Sequence, residues 1–305
     1  MALLDALRAL TAFKPPPALP ECELGLLADV LEAHGLAPMA SYLLESTRLG
    51  AGVPDGFRER LLSSYQGVVT DNVLKLVTLR GALRELEDVP VVLLDAAAYV
   101  DWIYPHMAFR PVIDVRAAMR AEHGPRFAER MKGRLELLRT EHEGRTAVFS
   151  DGTVAFAFQE GLFSGAPADA PLFERSRPCR AFGPSAARPS PEDALLSTVG
   201  EQALLGLLAP LVTYVDVREL LGLGLDAKYL RARAAALGLS RALHGATLLA
   251  AHFFPEVADA AALVRPDLGF AERIAVERVV EAARDPARLR HLRGADAAAR
   301  LVVAP

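Results

Sequence analysis

The sequence predicts an α+β protein in which a small mixed sheet lies between N-terminal and C-terminal helical segments. Long stretches at both ends repeat their apolar residues with helical spacing. Between them, Val89–Leu94 is a short valine-rich apolar run, typical of a strand covered on both faces. Asp151-Gly152 separates two β-rich segments and is a strong hairpin signal. With 305 residues, of which 52% are hydrophobic and 24% charged, the chain can bury a large core.

The N-terminal part reads as a helical lobe. Apolar spacing predicts a helix over Met1–Phe13, followed by an extended linker at Lys14–Pro17 because proline fixes φ and disfavours helix before it. Glu21–Glu45 is helical and should break in two at Gly35. Phe57–Leu86 predicts one long helix.

The sheet is expected in the middle of the chain. After the first strand, Val112–Val115 is a second β-like run, and Ala117–Leu138 has a helical pattern with an interruption at Gly124-Pro125. Thr146–Ser150 and Thr153–Phe158 then form the predicted hairpin. Together these segments predict a sheet of four or more strands.

The second half begins with a long segment of low periodicity. Gly161–Pro191 is rich in Pro, Gly, Ser and Ala and is interpreted as a functional cover or a wrapping connector. Ser190-Pro191 followed by two acidic residues is a helix start, with a capping serine and a proline at the first helical position. Helices are expected from there to Arg293. The basic run Arg284–Arg293 is interpreted as a solvated helix face rather than a nucleic-acid patch.

These patterns divide the chain into four parts. They are an N-terminal helical lobe, an α/β core, a connector and a C-terminal helical lobe, at residues 1–88, 89–160, 161–190 and 191–305.

Charge and cysteine content exclude several classes of function. A net charge of -4 gives no general attraction to nucleic acid or to an anionic membrane. The most apolar stretch, Ala203–Val215, is broken by Pro210 and is too short to span a bilayer. Cys22 and Cys179 are too few for a disulfide framework, and the N-terminus has no secretory signal pattern. A cytoplasmic location is the resulting expectation.

Several motifs in order resemble the bacterial nucleotidyltransferase-like family often labelled uncharacterised nucleotidyltransferase, which belongs to the polymerase-β-type superfamily. That family shows an apolar strand ending in LLKGAAL, a tyrosine-proline loop, and an arginine before a strand of the form DIDLLV. The stretches that match this pattern are Leu93–Tyr99, Tyr104-Pro105 and Arg110–Arg116. The resemblance extends to His34–Pro38 before them and to two predicted helices after them, at Ser190–Leu196 and Tyr214–Leu221. The resemblance covers most of the chain and implies the fold of that family.

The resemblance also implies a site at which this chain departs from the family. Members with the full motif hold magnesium with two acids on one strand and a third on its neighbour, because residues two apart on a strand point the same way. Here the first acid is Asp114, the second position is Arg116, and the third falls near Ala155. The family's glycine is Ala96 and the lysine before it is Asp95. A guanidinium group cannot ligate a cation.

The magnitude of this change predicts a degenerate transferase. Two unit charges about 4 Å apart interact by roughly 1 kcal/mol in water and about 4 kcal/mol at an intermediate dielectric. Replacing a carboxylate by arginine turns attraction for magnesium into repulsion. We therefore expect neither a metal site nor a cofactor, and magnesium with a nucleoside triphosphate only if activity is retained.

Each candidate side chain has more than one interpretation. Asp114, the surviving motif acid, is either a metal ligand or an ion-pair partner of Arg116 or Arg110, and the ion pair is favoured. Arg116 could hold an anion directly, but a structural pair with Asp114 or Asp95 is favoured. Arg110 and His106 line a pocket or are solvated loop residues.

The remaining candidates favour structural roles. Tyr104 is included in the ligand-binding set with Asp95, Ala96, Arg110, Arg116 and His106, although Tyr104 and Trp102 read better as core residues. The other histidines show no spacing typical of zinc ligands.

Three functions stay open at this point. The first is a non-catalytic protein that binds a partner protein, or an anionic or nucleotide ligand, in the remodelled cleft. The second is an active metal-dependent transferase that acts on a small molecule and recruits other acids, such as Asp95 or Glu160. It requires two or more carboxylates within about 4 Å of a common point. The third is a structural subunit, which predicts a large apolar patch away from the cleft.

Overall fold

The computed structural model describes residues 2–12, 14–16, 18–286 and 296–305. Helices α1 to α4 lie in the N-terminal lobe, at Ala2–Ala9, Leu24–Ala33, Ala37–Ser46 and Asp55–Glu85. The predicted helices and the break at Gly35 are confirmed. Gly35 has a φ of 69°, which glycine adopts without steric cost at the end of α2. Met1, Phe13 and Pro17 of the first predicted helix and its linker lie outside the described residues.

The centre of the chain forms a mixed seven-stranded sheet, so the predicted α+β fold is confirmed. The spatial order is β3-β4-β5-β2-β1-β7-β6. The strands β1 to β7 are Val91–Leu94, Val115–Met119, Glu136–Glu141, Thr146–Ser150, Ala155–Gln159, Arg177–Pro178 and Ala186–Arg188. The β2–β5 and β1–β7 pairs are parallel, and the other pairs are antiparallel.

Three of the predicted strands, β1, β4 and β5, and the hairpin between β4 and β5 are confirmed. All four residues of β1 are buried, as expected for a strand covered on both faces. In the β4–β5 turn, Asp151 Oδ1 accepts hydrogen bonds from the backbone N–H groups of Thr153 and Val154, at 2.9 and 2.8 Å. This Asx-type turn explains why the Asp-Gly signal is correct.

The predicted helix over Ala117–Leu138 is wrong. In this range the α-helix is limited to α6, Gly124–Met131, after a 3₁₀ turn at Ala121–His123, because β2 lies before it and β3 after it. The second strand accordingly begins at Val115 rather than Val112. The residues of β2 and β3 are largely Ala, Leu, Glu and Arg, which favour helix in isolation. Their pairing with β1, β5 and β4 overrides that local preference.

The segment interpreted as a loop contributes to the sheet. It contains a short helix, α7, at Ala170–Arg175, and β6 and β7, which extend the sheet beyond β1. With two and three residues, these strands are too short to show a period in the sequence. The connector is therefore part of the α/β core rather than only a loop over it.

The C-terminal lobe is helical, as predicted. Helices α8 to α14 are Pro191–Leu204, Leu211–Leu221, Ala227–Ala236, Ser240–Phe253, Ala258–Val264, Phe270–Ala283 and Asp296–Val303. Ser190 caps α8 as expected, since its side chain accepts a hydrogen bond from the backbone N–H of Asp193. Most of the basic run Arg284–Arg293 lies outside the described residues, which resume at 296. None of the described helices combines the length and apolarity needed to cross a bilayer.

Helix α8 packs against the α/β core beside the candidate cleft. A cluster of buried apolar residues draws members from all four predicted parts of the chain. Helix α5, Asp95–Tyr99, follows β1 directly. The Tyr99 hydroxyl donates to the Ala194 carbonyl on α8 at 2.8 Å and lies 2.8 Å from Thr198 Oγ1. These contacts bring the start of α5 beside α8.

Candidate functional site

A cleft of about 200 Å³ lies where the ends of β1 and β2 meet α8 and α9. Leu94 pairs with Arg116 across the antiparallel β1–β2 ladder, so the first residue of α5, Asp95, lies next to Arg116. Five of the seven predicted site residues line the cleft, namely Asp95, Ala96, Arg110, Asp114 and Arg116.

Arg116 lies at the meeting point of three carboxylates. Its Nε donates to Asp114 Oδ2 at 2.9 Å, and its Nη1 lies 3.7 Å from Asp95 Oδ2 and forms an ion pair with Glu201. The pairs with Asp114 and Asp95 agree with the favoured interpretation, and Glu201 is an additional partner. Burial alone would lower the pKa of Arg116, but these three acids raise it. The side chain is therefore a permanent cation inside a ring of acids.

Glu201 is held in place by a second set of hydrogen bonds. The backbone N–H and the hydroxyl of Ser164 both donate to Glu201 Oε1, at 2.7 and 2.8 Å. Ser164 belongs to the connector, so this segment helps to orient an acid of the cleft. Glu201 was absent from the predicted site because its position in α8 gave no motif signal.

The proton affinity of Asp95 is strongly perturbed by its surroundings. Burial raises the pKa of this carboxyl, Arg116 lowers it and Glu201 raises it, to a value of about 7. The Ser197 hydroxyl donates to the Leu162 carbonyl at 2.8 Å, and its oxygen lies 3.2 Å from Asp95 Oδ1. Asp95 has a φ of 49°, a left-handed conformation that Asp and Asn adopt more readily than most residues. This turn leads directly from β1 into α5.

Arg110 is buried rather than solvated, which corrects that alternative. It is 7% exposed, and its Nε donates to both carboxylate oxygens of Asp216 at 3.0 and 2.9 Å. The Tyr104 hydroxyl donates to Asp216 Oδ1 at 2.6 Å. Burial disfavours the charged guanidinium, but Asp216 raises the pKa of Arg110 overall. Arg110 and Asp216 thus form an ion pair in the wall of the cleft, and each neutralises the charge of the other.

Asp216 could have been found in the sequence. It lies between Val215 and Val217 on a helix whose other buried residues are mostly apolar, and such an acid needs a buried partner. Asp216 also lies within Tyr214–Leu221, one of the stretches that carry the family resemblance.

Tyr104 and His106 line a different hollow, of about 440 Å³. Tyr104 is a buried core residue, as its alternative interpretation predicts. The His106 ring stacks with Tyr42 and Tyr65, each with a centroid distance of 5.8 Å, and its Nδ1 accepts from the Ala108 N–H at 3.2 Å. These contacts give His106 a packing role at the side of α4 and separate it from the acids.

In their present arrangement, the carboxylate oxygens of the cleft do not fit the coordination of a magnesium ion. Magnesium needs several oxygen ligands at close to 2 Å, and the point on which the three carboxylates converge is occupied by the Arg116 guanidinium. The neighbouring strand offers no acid on that face, because Ala157 lies opposite Arg116 and Ala155 precedes it by two residues. Among the described residues, no group of three or more His, Cys, Asp or Glu side chains has the geometry of a metal site.

Glu160 lies apart from this cluster. It lines a smaller hollow beside α6 and β4. Of the two recruited acids suggested by the sequence, only Asp95 therefore reaches the cleft.

An exposed apolar surface lies away from the cleft, as the third alternative expects. Phe270 is 72% exposed and Leu301 is 82% exposed. Phe270 lines a groove of about 660 Å³ with residues of α13 and α14. The structural-subunit alternative stays a prediction.

Comparison with known proteins identifies the family of this chain. Neither the curated proteins nor the solved structures include a significant match to this chain. The family model described as "Uncharacterised nucleotidyltransferase" matches residues 20–255. This match extends from the N-terminal lobe through the sheet and into the C-terminal helices. The chain therefore belongs to the uncharacterised nucleotidyltransferase family.

Proposed function

We propose that this protein is a nucleotidyltransferase-family member that does not transfer nucleotides and whose cleft has become a binding site. The observation that carries the proposal is Arg116 at the point where Asp95, Asp114 and Glu201 converge. A guanidinium group there supplies a fixed positive charge to acids that would otherwise repel one another. It also blocks the position from which a metal ion would contact them.

The charge of the lining narrows what this cleft can bind. Four carboxylates and two guanidinium groups line it. Both guanidinium groups are already paired with carboxylates. This excess of negative charge argues against the anionic or nucleotide ligand that the sequence suggested. A partner protein or a ligand that is not an anion is the better expectation.

Exchange of the central charge tests the proposal. Arg116→Asp restores two acids at alternate positions and removes the internal cation, so we expect this variant to gain Mn²⁺ binding, a spectroscopic substitute for Mg²⁺. Electron paramagnetic resonance would measure free Mn²⁺, and a thermal melt should show stabilisation of the variant by the ion. The matched control is Arg139→Asp on the exposed strand β3, which should behave like the wild type.

Activity assays decide the outcome. Wild-type protein with Mg²⁺ and each of the four ribonucleoside triphosphates should release no pyrophosphate above the background. Nucleotide transfer that disappears in Asp114→Asn would overturn the proposal.

A second candidate function has one observation in its favour. Three carboxylates do reach a common group, which meets the geometric requirement for a transferase with non-standard acids. That function would require Arg116 to leave this position. Mn²⁺ binding by the wild-type protein, at an affinity similar to that of Arg116→Asp, would favour it.

A further inference from the structure

The cleft contains an unfilled hydrogen-bond acceptor in addition to its acids. Gln202 on α8 lines the cleft and is 1% exposed. The Thr213 hydroxyl donates to the Pro210 carbonyl at 2.9 Å, so its oxygen must accept from the Gln202 amide nitrogen, also at 2.9 Å. This arrangement fixes the orientation of the amide and leaves Gln202 Oε1 as an acceptor. Within the described residues, no group donates to it.

A buried acceptor without a donor is costly, and a ligand that donates an N–H group would satisfy it. Gln202 and Glu201 both belong to α8 and both line the cleft, so the acceptor and the acid cluster border the same space. A metal ion has no proton to donate, and an anion would meet the negative lining. The complementary group is one that combines positive charge with N–H donors.

The most accessible acid lies where such a group could reach it. The Asp114 side chain is 44% exposed, compared with 18% for Asp95 and 20% for Glu201. Beside it, Ile113 is 73% exposed and Leu205 is 41% exposed, and both line the cleft. An ammonium group at Asp114 would therefore have apolar surface next to it for a short carbon chain.

The size of the cleft sets the size of the ligand. At about 200 Å³ it is smaller than the roughly 300–1,000 Å³ of pockets that hold drug-sized ligands. A nucleoside triphosphate is at least as large as such a ligand, whereas a short aliphatic amine is much smaller.

From these features we propose that the cleft binds a small organic cation, an aliphatic amine whose ammonium group pairs with Asp114 and donates to Gln202 Oε1 while its carbon chain contacts Ile113 and Leu205. The proposal rests on the proposed function, because it takes the cleft around Arg116 as a binding site. It adds the chemical class of the ligand, and it replaces the expectation of an anion.

A matched pair of probes tests the charge requirement. The full-length protein, labelled with ¹⁵N, is titrated with n-butylamine, with 1,4-diaminobutane, and with butanoate as an anion of the same chain length. We expect the amines to shift the NMR signals of Glu201 and the side-chain amide of Gln202, and butanoate to leave them unchanged. Shifts with butanoate or ATP but not with the amines would overturn the proposal, as would the absence of shifts with every probe.

Two variants locate the binding. Asp114→Asn should weaken amine binding about fivefold, the effect of losing one charge contact near 4 Å in water. Glu281→Gln removes an exposed carboxylate from α13, a helix that does not line the cleft, and should leave the affinity unchanged. Gln202→Met removes the acceptor and keeps a side chain of similar shape, so it should also weaken binding. Equal amine affinity in Asp114→Asn and the wild type contradicts the proposed pairing.

One further assay separates the two proposals. If the amine binds and becomes nucleotidylated in the presence of Mg²⁺ and ATP, the non-catalytic function is wrong and the cationic ligand class stands. If no transfer occurs and no amine binds, the ligand class is wrong and the non-catalytic function stands.

Discussion

At the scale of single residues, Arg116 and the carboxylates around it depend on one another for their charge balance. Arg116 is compatible with burial only because carboxylates surround it, and these acids are in turn close enough to repel one another without it. Asp95 shows this balance most clearly, since burial and Glu201 raise its pKa while Arg116 lowers it.

The raised pKa of Asp95 predicts a pH dependence of stability. The pKa is about 7 in the folded state and about 3.9 in an unfolded chain, so the folded protein binds more protons between these values. The contribution of Asp95 to the free energy of unfolding is therefore complete below about pH 4 and is lost as the pH rises through 7. Asp95→Asn retains a residue suited to the left-handed turn and should flatten this slope. Urea unfolding midpoints at pH 5 and pH 8 measure the difference.

The control for this experiment is Asp71→Asn. This carboxylate is 66% exposed, and its removal should leave the slope as it is in the wild type. Parallel slopes for Asp95→Asn and the wild type would show that the Asp95 carboxyl titrates as it does in an unfolded chain.

At the scale of elements, α8 determines the shape of the cleft. Three residues of α8 line the cleft, namely Thr198, Glu201 and Gln202. Another residue of this helix, Gly200, packs closely against the connector. Gly200 packs against the buried Phe163, where a β-carbon would overlap the phenylalanine ring. The small side chain of this position thus sets how closely α8 approaches the connector.

A pair of glycine substitutions tests this packing. Gly200→Ala should reduce the free energy of unfolding by about 1–3 kcal/mol, the range for overpacked cores. The matched control Gly67→Ala lies on α4 where a β-carbon meets open space, and it should stabilise the protein by roughly 0.5–1 kcal/mol through helix propensity. Denaturant unfolding of both variants measures the two effects. Stabilisation by Gly200→Ala would mean that α8 and the connector can separate without cost.

At the scale of the whole molecule, the Arg110–Asp216 pair connects the α/β core to the C-terminal lobe. Arg110 and Tyr104 precede β2, whereas Asp216 belongs to α9, and the Asp216 side chain is fully buried. The bond joins residues more than 100 positions apart in the chain. It fixes the two walls of the cleft relative to each other.

Loss of this buried connection should be strongly destabilising. Asp216→Asn leaves the Arg110 charge without its partner, so we expect a loss of about 3–5 kcal/mol in the free energy of unfolding. Glu45→Gln breaks an exposed ion pair with Arg58 and should change it little. Urea unfolding at pH 7 compares the two variants. An equally small effect of both substitutions would show that the buried pair does not hold the α/β core and the C-terminal lobe together.

The sequence alone determined the helical lobes, the buried first strand and the hairpin, because each depends on local periodicity or turn chemistry. Through the family resemblance it also predicts that Arg116 stands where a metal-binding acid is expected. The strand identity of β2 and β3 was decided by tertiary pairing, since their Ala, Leu and Glu residues favour helix locally. The complete cleft was likewise decided by tertiary structure. Glu201 and Asp216 reach Arg116 and Arg110 from about 85 and 106 positions away, and only the packing of α8 and α9 on the sheet brings those charges together.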